Sequence, residues 1–568
     1  MSNTSLAAAG AELRCVSSEN KVEVMTDTEQ QSSHGAALDS AHVGDIHGAF
    51  GTIRLGDEGP RPGRIAQLKT LLAVVGPGLI VMAGDNDAGA FSTYAEAGQN
   101  YGTSLLWVLV LLIPVLYVNQ EMVLRLGVVS GVGHARLILE RFGKFWGAFS
   151  VIDLFILNAL TIVTEFIGIS LGLDYLGLPK ILGVICAALV IVGAASTGSF
   201  KRFEQVCLSL VAGSLLLVPI LVMVHPEAGQ VARDFVIPRI PGGADLSKVV
   251  LLIIGVVGTT VAPWQLFFQQ SYIIDKRITP RFMTYEKIDL WLGIVIVIVG
   301  AAAIICFTAA TFAGHVEAGS FIDALGVAHG LEKYVSKIAG VLFAVALIDA
   351  SIIGAAAVGL STSYALGDVL GLKHSLHRKV SDAKAFYAVF AGILLVSAII
   401  VLIPGSPLGL LTVGVQVLAG VLLPSATVFL LLLCNDREVL GPWVNGMAMN
   451  IFTAAVIAVL VVLSLVLTAG VMFPLGSATI IQILVGGLLF FVLAGVIYLI
   501  YRKAHPVDAV QRDSDHAVKL SWRMAPLALL AAPKLSPASR IGLTVLRSYL
   551  LIAMILVIVR VVQLARGG

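Results

Sequence analysis

Two acids, Asp85 and Asp87, stand with Asn86 between them in the middle of an apolar run, LLAVVGPGLIVMAGDNDAGAFSTYAEAG. An ionised carboxylate at the centre of a bilayer costs on the order of 3 kcal/mol by insertion scales. Two acids two residues apart also repel each other. Helix packing does not account for such a pair. A capping role, in which an Asp accepts a free N–H at a helix start, accounts for one acid and leaves the other. Asp85, Asn86 and Asp87 all bring oxygen donors, and the chemistry they share is cation binding. Gly84 and Gly89 flank them and permit an unwound backbone, which would add carbonyl oxygens.

A second apolar run, VVLLIIGVVGTTVAPWQLFFQQS, is interrupted in the same way. Its centre holds Gly258, Thr259, Thr260 and Pro263. Proline removes a backbone donor and clashes with the preceding turn. Broken helices at membrane depth are tolerated only where they face protein or a wet cavity. Paired breaks at matching positions of two halves point to a transporter binding site. Gly84, Thr259, Ala262 and Gln265 join Asp85, Asn86 and Asp87 as candidate metal ligands, through carbonyls or side chains.

These two runs must be positioned by a membrane bundle. Of the 568 residues, 58% are hydrophobic and 13% charged, against about 25% charged in soluble domains. Mean hydropathy is +0.94. A spanning helix needs about 20 apolar residues. Candidates lie near 70–98, 103–126, 146–173, 178–196, 204–224, 248–273, 288–314, 335–366, 384–404, 408–434, 445–469 and 476–501. The breaks fall in the first and the sixth, the first helices of two five-span halves. An odd number of spans per half inverts one half relative to the other. The expected organisation is a disordered cytoplasmic tail over 1–69, a ten-span core over 70–434, two peripheral spans over 435–501, and a cytoplasmic segment over 502–568. A thirteenth candidate helix, 545–564, carries Arg547 and Arg560 and suits either spanning or lying on the surface.

Basic residues mark one side. They precede span 1 (Arg61, Arg64, Lys69) and follow span 2 (Arg136, Arg141, Lys144), span 4 (Lys201, Arg202), span 6 (Lys276, Arg277, Arg281, Lys287) and span 8 (Lys373, Arg378, Lys379, Lys384). The opposite loop at 315–333 is acidic. The expectation is a multi-pass protein of the plasma or inner membrane with a cytoplasmic N-terminus. The net charge of +2 gives no argument for nucleic acid. No phosphate-binding loop or nucleophile–base pair is visible, so neither a pump nor an enzyme is expected. The five cysteines form no CxxC. Four lie in apolar stretches and read as small core residues.

Several motifs together resemble the Nramp family of divalent metal transporters. Gly76-Pro77-Gly78 followed by Asp87-Ala88-Gly89-Ala90 resembles the family's GPG and DPGN. Residues 125–131, Arg-Leu-Gly-Val-Val-Ser-Gly, resemble RLGVVTG, and Glu165-Phe166-Ile167-Gly168 resembles EVIG. Gln416, Pro424 and Asp436-Arg437 are also similar to the family. The likeness runs from about 70 to 445. It implies a LeuT-like inverted repeat of five plus five spans, substrate held between helices 1 and 6, and import. It also implies departures. The DPGN Asn corresponds to Ala90, and the family's MPH corresponds to Ala262-Pro263-Trp264. A second family His falls on Gln269, and one of two span-3 acids falls on Ile162, with Glu165 kept. The thioether ligand and much of the proton path are therefore missing.

Oxygen donors suit magnesium, calcium and manganese, whereas thioethers favour softer metals. Magnesium usually keeps several waters and takes one or two carboxylates. Ala90 and Ala262 widen the site, which suits a hydrated ion. The pattern resembles the Nramp-related magnesium transporter branch. Hydrated Mg2+, with Mn2+ beside it, is the expected cargo of a monomeric transporter without a resident cofactor. Uncoupled entry suffices energetically, at about 4.6 kcal/mol per 100 mV for a divalent ion, from roughly 2.3 per charge. The competing readings are a proton-coupled Mn2+/Fe2+ symporter of the ordinary Nramp type and an organic-cation or amino-acid symporter on the same fold.

Other polar residues carry two readings each. Glu165 suits either a pathway acid or a buried hydrogen-bonded carboxyl, and Asp349 either a pathway acid or a partner for an intramembrane polar group. Trp264 and Gln269 border the second break and shape the cavity or pack in the core. Gln416 either approaches the ion or bonds between helices. Glu121 and Arg125 are four apart and read as a helical ion pair. His374 and His377 fall in a basic loop and read as solvated.

Overall fold

The computed structural model describes residues 39–57, 59–403, 408–472, 476–504, 519–520 and 522–531, with a few positions between 533 and 551. Almost every described element is helical. Among the described residues ten helices are long and apolar enough to cross a membrane, or eleven if the bent pair Gly63–Val74 and Pro77–Ala83 counts as one span. Helix occupies each of the twelve expected stretches. The fourth is short, Lys180–Ala195. The thirteenth candidate, 545–564, lies almost wholly outside the described residues.

Span 1 is built from three helices, Gly63–Val74, Pro77–Ala83 and Ala88–Tyr101. The break at 84–87 is the expected one. The other, bent by 52° at Val75–Gly76, was not expected. Span 6 is Leu246–Thr260 followed by Pro263–Asp275, broken where Pro263 denies a donor. The fold is the LeuT-like repeat, with spans 1–5 and 6–10 as its halves. Small residues let the breaks sit close to their neighbours. A Cβ on Gly258 would lie 2.2 Å from the Gln416 carbonyl, which brings span 6 onto span 10 (Leu408–Leu433). A Cβ on Gly168 would lie 2.5 Å from that of Ala88, which brings span 3 (Lys144–Tyr175) onto span 1.

The bend at Gly76 is locked by charge. Lys276, at the end of span 6, is fully buried 2.7 Å from Glu204 of span 5, which is also fully buried. Its ammonium also donates to the Val75 carbonyl at 2.9 Å. From span 7 (Met283–Phe312), Asp289 accepts the Gly78 N–H at 2.6 Å. Gly76 has φ of 152°, and a Cβ there would fall 2.2 Å from Glu204 Oε1. Only glycine fits.

Within the stretch read as a disordered tail, residues 39–57 are folded. β1 (Ile46–Gly48) and β2 (Gly51–Ile53) form an antiparallel hairpin. The hairpin lies on the first helix of span 1, where a Cβ on Gly48 would meet the Ala73 carbonyl at 1.9 Å. Ala49 N–H donates to Glu204 at 2.6 Å. Asp39 accepts from Arg378 at 2.5 Å and from His374 N–H at 2.9 Å. Arg277 donates to the Ala41 carbonyl at 2.7 Å and to the Asp45 carbonyl at 3.0 Å. Arg277 achieves this at φ of 67°, a left-handed conformation that costs a non-glycine residue roughly 1–2 kcal/mol. Such dispersed backbone contacts leave no composition signal, which is why a polar, Gly-rich stretch reads as disordered. These bonds place the N-terminal segment on the same face as the loops after spans 6 and 8.

Two readings of single residues change. His374 is buried, not solvated, with Nε2 3.0 Å from Asp368. His377 is half-buried, stacked on Phe200, with Nε2 3.0 Å from the Asp275 carbonyl. The folded N-terminal segment covers what a bare loop would have exposed. Cys207, Cys306 and Cys434 are buried as expected, but Cys186 is exposed on span 4. The Glu121–Arg125 pair forms at 3.1 Å and gains Lys287 at 3.0 Å from Glu121.

Two outcomes follow. Lys276→Met strands Glu204 and Asp289 without their cation, and breaking a buried pair costs about 3–5 kcal/mol. Its thermal unfolding in detergent should fall well below wild type; an unchanged midpoint would refute the lock. Burial pushes the His374 imidazole down, but the Asp368 carboxylate outweighs it and raises it to about 9. Against an unfolded value near 6.5, this contribution is complete below about pH 6.5 and is lost as pH rises through about 9. His374→Gln should lose that alkaline dependence, measured as the melting midpoint across pH 6–10.

Candidate metal site

Gly84 to Asp87 connect two helices whose ends point at each other. Asp87 caps the second, Ala88–Tyr101, and accepts the Ala90 N–H at 2.8 Å. The capping reading therefore holds for Asp87. Asp85 takes a different partner. It accepts from the Gln265 side chain, in the first turn after the span-6 break. Asn86 points elsewhere, donating to the Val297 carbonyl at 3.3 Å in span 7. All three side chains are buried.

The second break supplies the facing wall. Thr259 carries a buried hydroxyl. Its carbonyl would be closed four residues on by an N–H, and that residue is Pro263, which has none. Thr260 bonds the Tyr94 hydroxyl at 2.7 Å and ties span 6 to span 1. Ala262 is the N-cap residue of Pro263–Asp275 and offers no side-chain cap. The Trp264 carbonyl accepts from Ser361 at 2.9 Å, and its indole reaches toward Gly84, where a Cβ would sit 3.5 Å away.

Several buried polar atoms around the breaks have no hydrogen-bond partner among the described residues. They are Asp85 Oδ2, Asn86 Oδ1, Thr259 Oγ1, Glu165 Oε1, Gln416 Nε2 and both amide atoms of Gln269. An orphaned buried polar atom costs about 1–3 kcal/mol. A cation with bound water would satisfy atoms of this kind, since oxygens can ligate an ion or accept from its waters and amide N–H groups can donate to water. Among the described residues no group of three His, Cys, Asp or Glu side chains converges as a metal cluster. The donor set is instead mixed, with carboxylates, amides, a hydroxyl and carbonyls.

Of the sequence-derived candidates, Gln416 is brought in closely. A Cβ on Gly89 would lie 1.6 Å from its amide nitrogen. Ala90 is fully buried beside it. Glu165 accepts the Ala88 N–H at 3.2 Å and its carboxyl faces that of Asp87. Asp349 is not brought to these atoms; it packs on span 5, where a Cβ on Gly213 would meet its Oδ2 at 2.1 Å. One residue escaped the sequence reading. Gln120 of span 2 (Leu106–Ser130) donates to Gln265 Oε1 at 3.0 Å, and Gln265 in turn donates to Asp85. A polar residue inside an apolar span was the available signal.

The profile of the Nramp family, "natural resistance-associated macrophage protein-like", matches residues 78–470. A "divalent metal cation transporter MntH" of Burkholderia ambifaria is 28% identical over 457 residues, covering 77% of this chain and 97% of that protein. The "divalent metal cation transporter MntH 1" of Pseudomonas aeruginosa is 30% identical, covering 69% and 91%. The crystal structure of the Eremococcus coleocola manganese transporter superposes with a TM-score of 0.60 at 22% identity, covering 79% of this chain and 98% of that one. That likeness is one of fold. The match over most of the chain and the two broken helices agree, and the chain belongs to the Nramp family.

Proposed function

We propose that this protein imports divalent metal cations, chiefly hydrated Mg2+ and also Mn2+, through the site between its two helix breaks. The observation that carries this reading is the donor set. Asp85 and Asp87 supply charge; Gln265, the Thr259 hydroxyl and the freed carbonyls of Gly84 and Thr259 supply neutral oxygen, whereas Asn86 turns to span 7 and the Ala262 carbonyl takes the Gln265 N–H at 3.2 Å. Neither sulfur nor imidazole is among them. Hard oxygen donors with two carboxylates suit Mg2+ and Mn2+. The side chains at Ala90 and Ala262 are small, which is in keeping with an ion that retains water.

The orphaned atoms support the same reading. Gln269, Gln416 and Glu165 carry unpaired buried atoms that would serve as partners for water on the ion. Trp264 forms a wall beside Gly84. The chain of Gln120, Gln265 and Asp85 fixes one carboxylate and leaves its second oxygen for cargo. In this reading the face with the N-terminus is cytoplasmic, consistent with the basic loops. The membrane potential then drives a divalent ion inward without coupling.

Two observations favour a second reading. The relatives named above carry manganese or divalent metal in their names, and Glu165 faces Asp87, so two carboxyls are in place to exchange a proton. That would make the protein a proton-coupled Mn2+/Fe2+ symporter.

Metal uptake into proteoliposomes with an internal pH dye separates the two. The uncoupled reading predicts Mg2+ entry without acidification of the lumen, and Mg2+-driven acidification would refute it. Cd2+ should compete weakly; tight Cd2+ binding insensitive to Mg2+ would refute the hard-donor site. Asp87→Ala should bring uptake to background, and a wild-type rate there would remove the site from the mechanism. Gly89→Ala drives a methyl into the Gln416 amide. Overpacking of this kind costs about 1–3 kcal/mol, so uptake should fall roughly tenfold, about 1.4 kcal/mol, with Gln416→Ala restoring part of it.

A further inference from the structure

A cavity of about 790 Å³ opens on the face that carries the N-terminal segment. Its walls come from four stretches: the N-terminal segment, the end of span 2, the turn between spans 6 and 7, and the C-terminal segment around Leu520 and Arg523. Four arginines line it, Arg54, Arg277, Arg281 and Arg523, against one carboxylate, Asp57. Asp57 is already engaged, taking two N–H groups of Arg61 at 3.0 and 2.9 Å.

Arg277 holds the wall, since its N–H groups go to the Ala41 and Asp45 carbonyls. The other three retain donors. Arg281 gives one nitrogen to the Gly59 carbonyl at 2.5 Å. Arg523 gives one to the carbonyls of Leu520 and Trp522 at 2.7 and 2.8 Å. The remaining N–H groups of these two, and those of Arg54, meet no acceptor among the described residues. The rest of the lining includes apolar side chains, Ile46, Val128, Phe282 and Leu520. Inner-face basic residues are common in membrane proteins, but that rule concerns exposed loops. It does not gather guanidinium groups from three distant stretches around one concavity with an apolar floor.

Forked guanidinium donors match phosphate oxygens. The volume is that of a small-molecule site, about 300–1,000 Å³. We infer that this cavity binds an amphipathic phosphate-bearing anion, either a free nucleotide polyphosphate or the headgroup of an anionic lipid. The phosphates would meet Arg54, Arg281 and Arg523, and the apolar floor would take a base or the glycerol and upper acyl chain. The bound anion would tie the N-terminal segment and the turn after span 6 to the C-terminal segment. Access of a nucleotide rests on the cytoplasmic orientation given above.

The test uses the full-length protein in nanodiscs, and it reads binding rather than metal uptake. In one arm, radiolabelled ATP is dialysed against protein in phosphatidylcholine discs with EDTA present. In the other, native mass spectrometry counts lipids retained after exchange into phosphatidylglycerol or phosphatidylcholine. Saturable ATP binding assigns a free nucleotide. Selective retention of phosphatidylglycerol without ATP binding assigns a lipid headgroup. In either case the double variant Arg54→Ser/Arg523→Ser should bind at least tenfold more weakly, and Arg54→Lys/Arg523→Lys, which keeps the charge and loses the fork, should fall between the serine variant and wild type with an unchanged melting midpoint. No saturable binding in either arm, or equal binding by wild type and the serine variant, would overturn the inference.

Discussion

Backbone groups inside a bilayer have no water to bond, so a spanning helix can stop only where something else takes its orphaned donors and acceptors. Spans 1 and 6 both stop at mid-depth, and the rest of the structure follows from how their ends are met. Asp87 caps one restarted helix. Glu165 takes a further N–H from the same turn. Tyr94 and Thr260 join the two breaks. What protein leaves unmet is mostly oxygen, which is the basis of the cation site proposed above.

The lock around Gly76 fixes the first part of the broken helix. Lys276, Glu204 and Asp289 join spans 1, 5, 6 and 7 at one end of the molecule. The N-terminal hairpin adds Ala49 to the same carboxylate. Alternating access in such folds rocks one part against another around a fixed site. Buried ion pairs of this kind are stable while all partners are present and unstable once one leaves.

Much of this was legible in the sequence. Asp85 and Asp87 are conspicuous because charge is rare in an apolar run. Pro263 and the glycines mark the second break by local rules of backbone geometry. What was not legible depends on distant partners. The Val75–Gly76 bend is set by Glu204, Lys276 and Asp289, far apart in the chain. Gln120 matters only because span 2 sets it against Gln265. His374 looked solvated because residues 39–57 carry no apolar periodicity, and only their backbone contacts with Arg277 and Glu204 reveal that they cover it. Asp349 resembled a pathway acid by type and depth, but helix rotation turns it onto span 5.

The identity of the cargo turns on how many ligands the ion touches directly. Magnesium gives up water reluctantly and binds oxygen at about 2.0–2.1 Å, and a site with two carboxylates and small neighbours leaves room for its hydration shell. The most direct measurement is an ion-bound structure with Mn2+ located by anomalous scattering and compared with Mg2+. The account predicts a peak between the two breaks, beside Asp85 and Asp87, with most protein oxygens beyond about 3.5 Å and water between. A peak elsewhere, or an ion stripped of water with a full shell of protein ligands at about 2.1 Å, would contradict it.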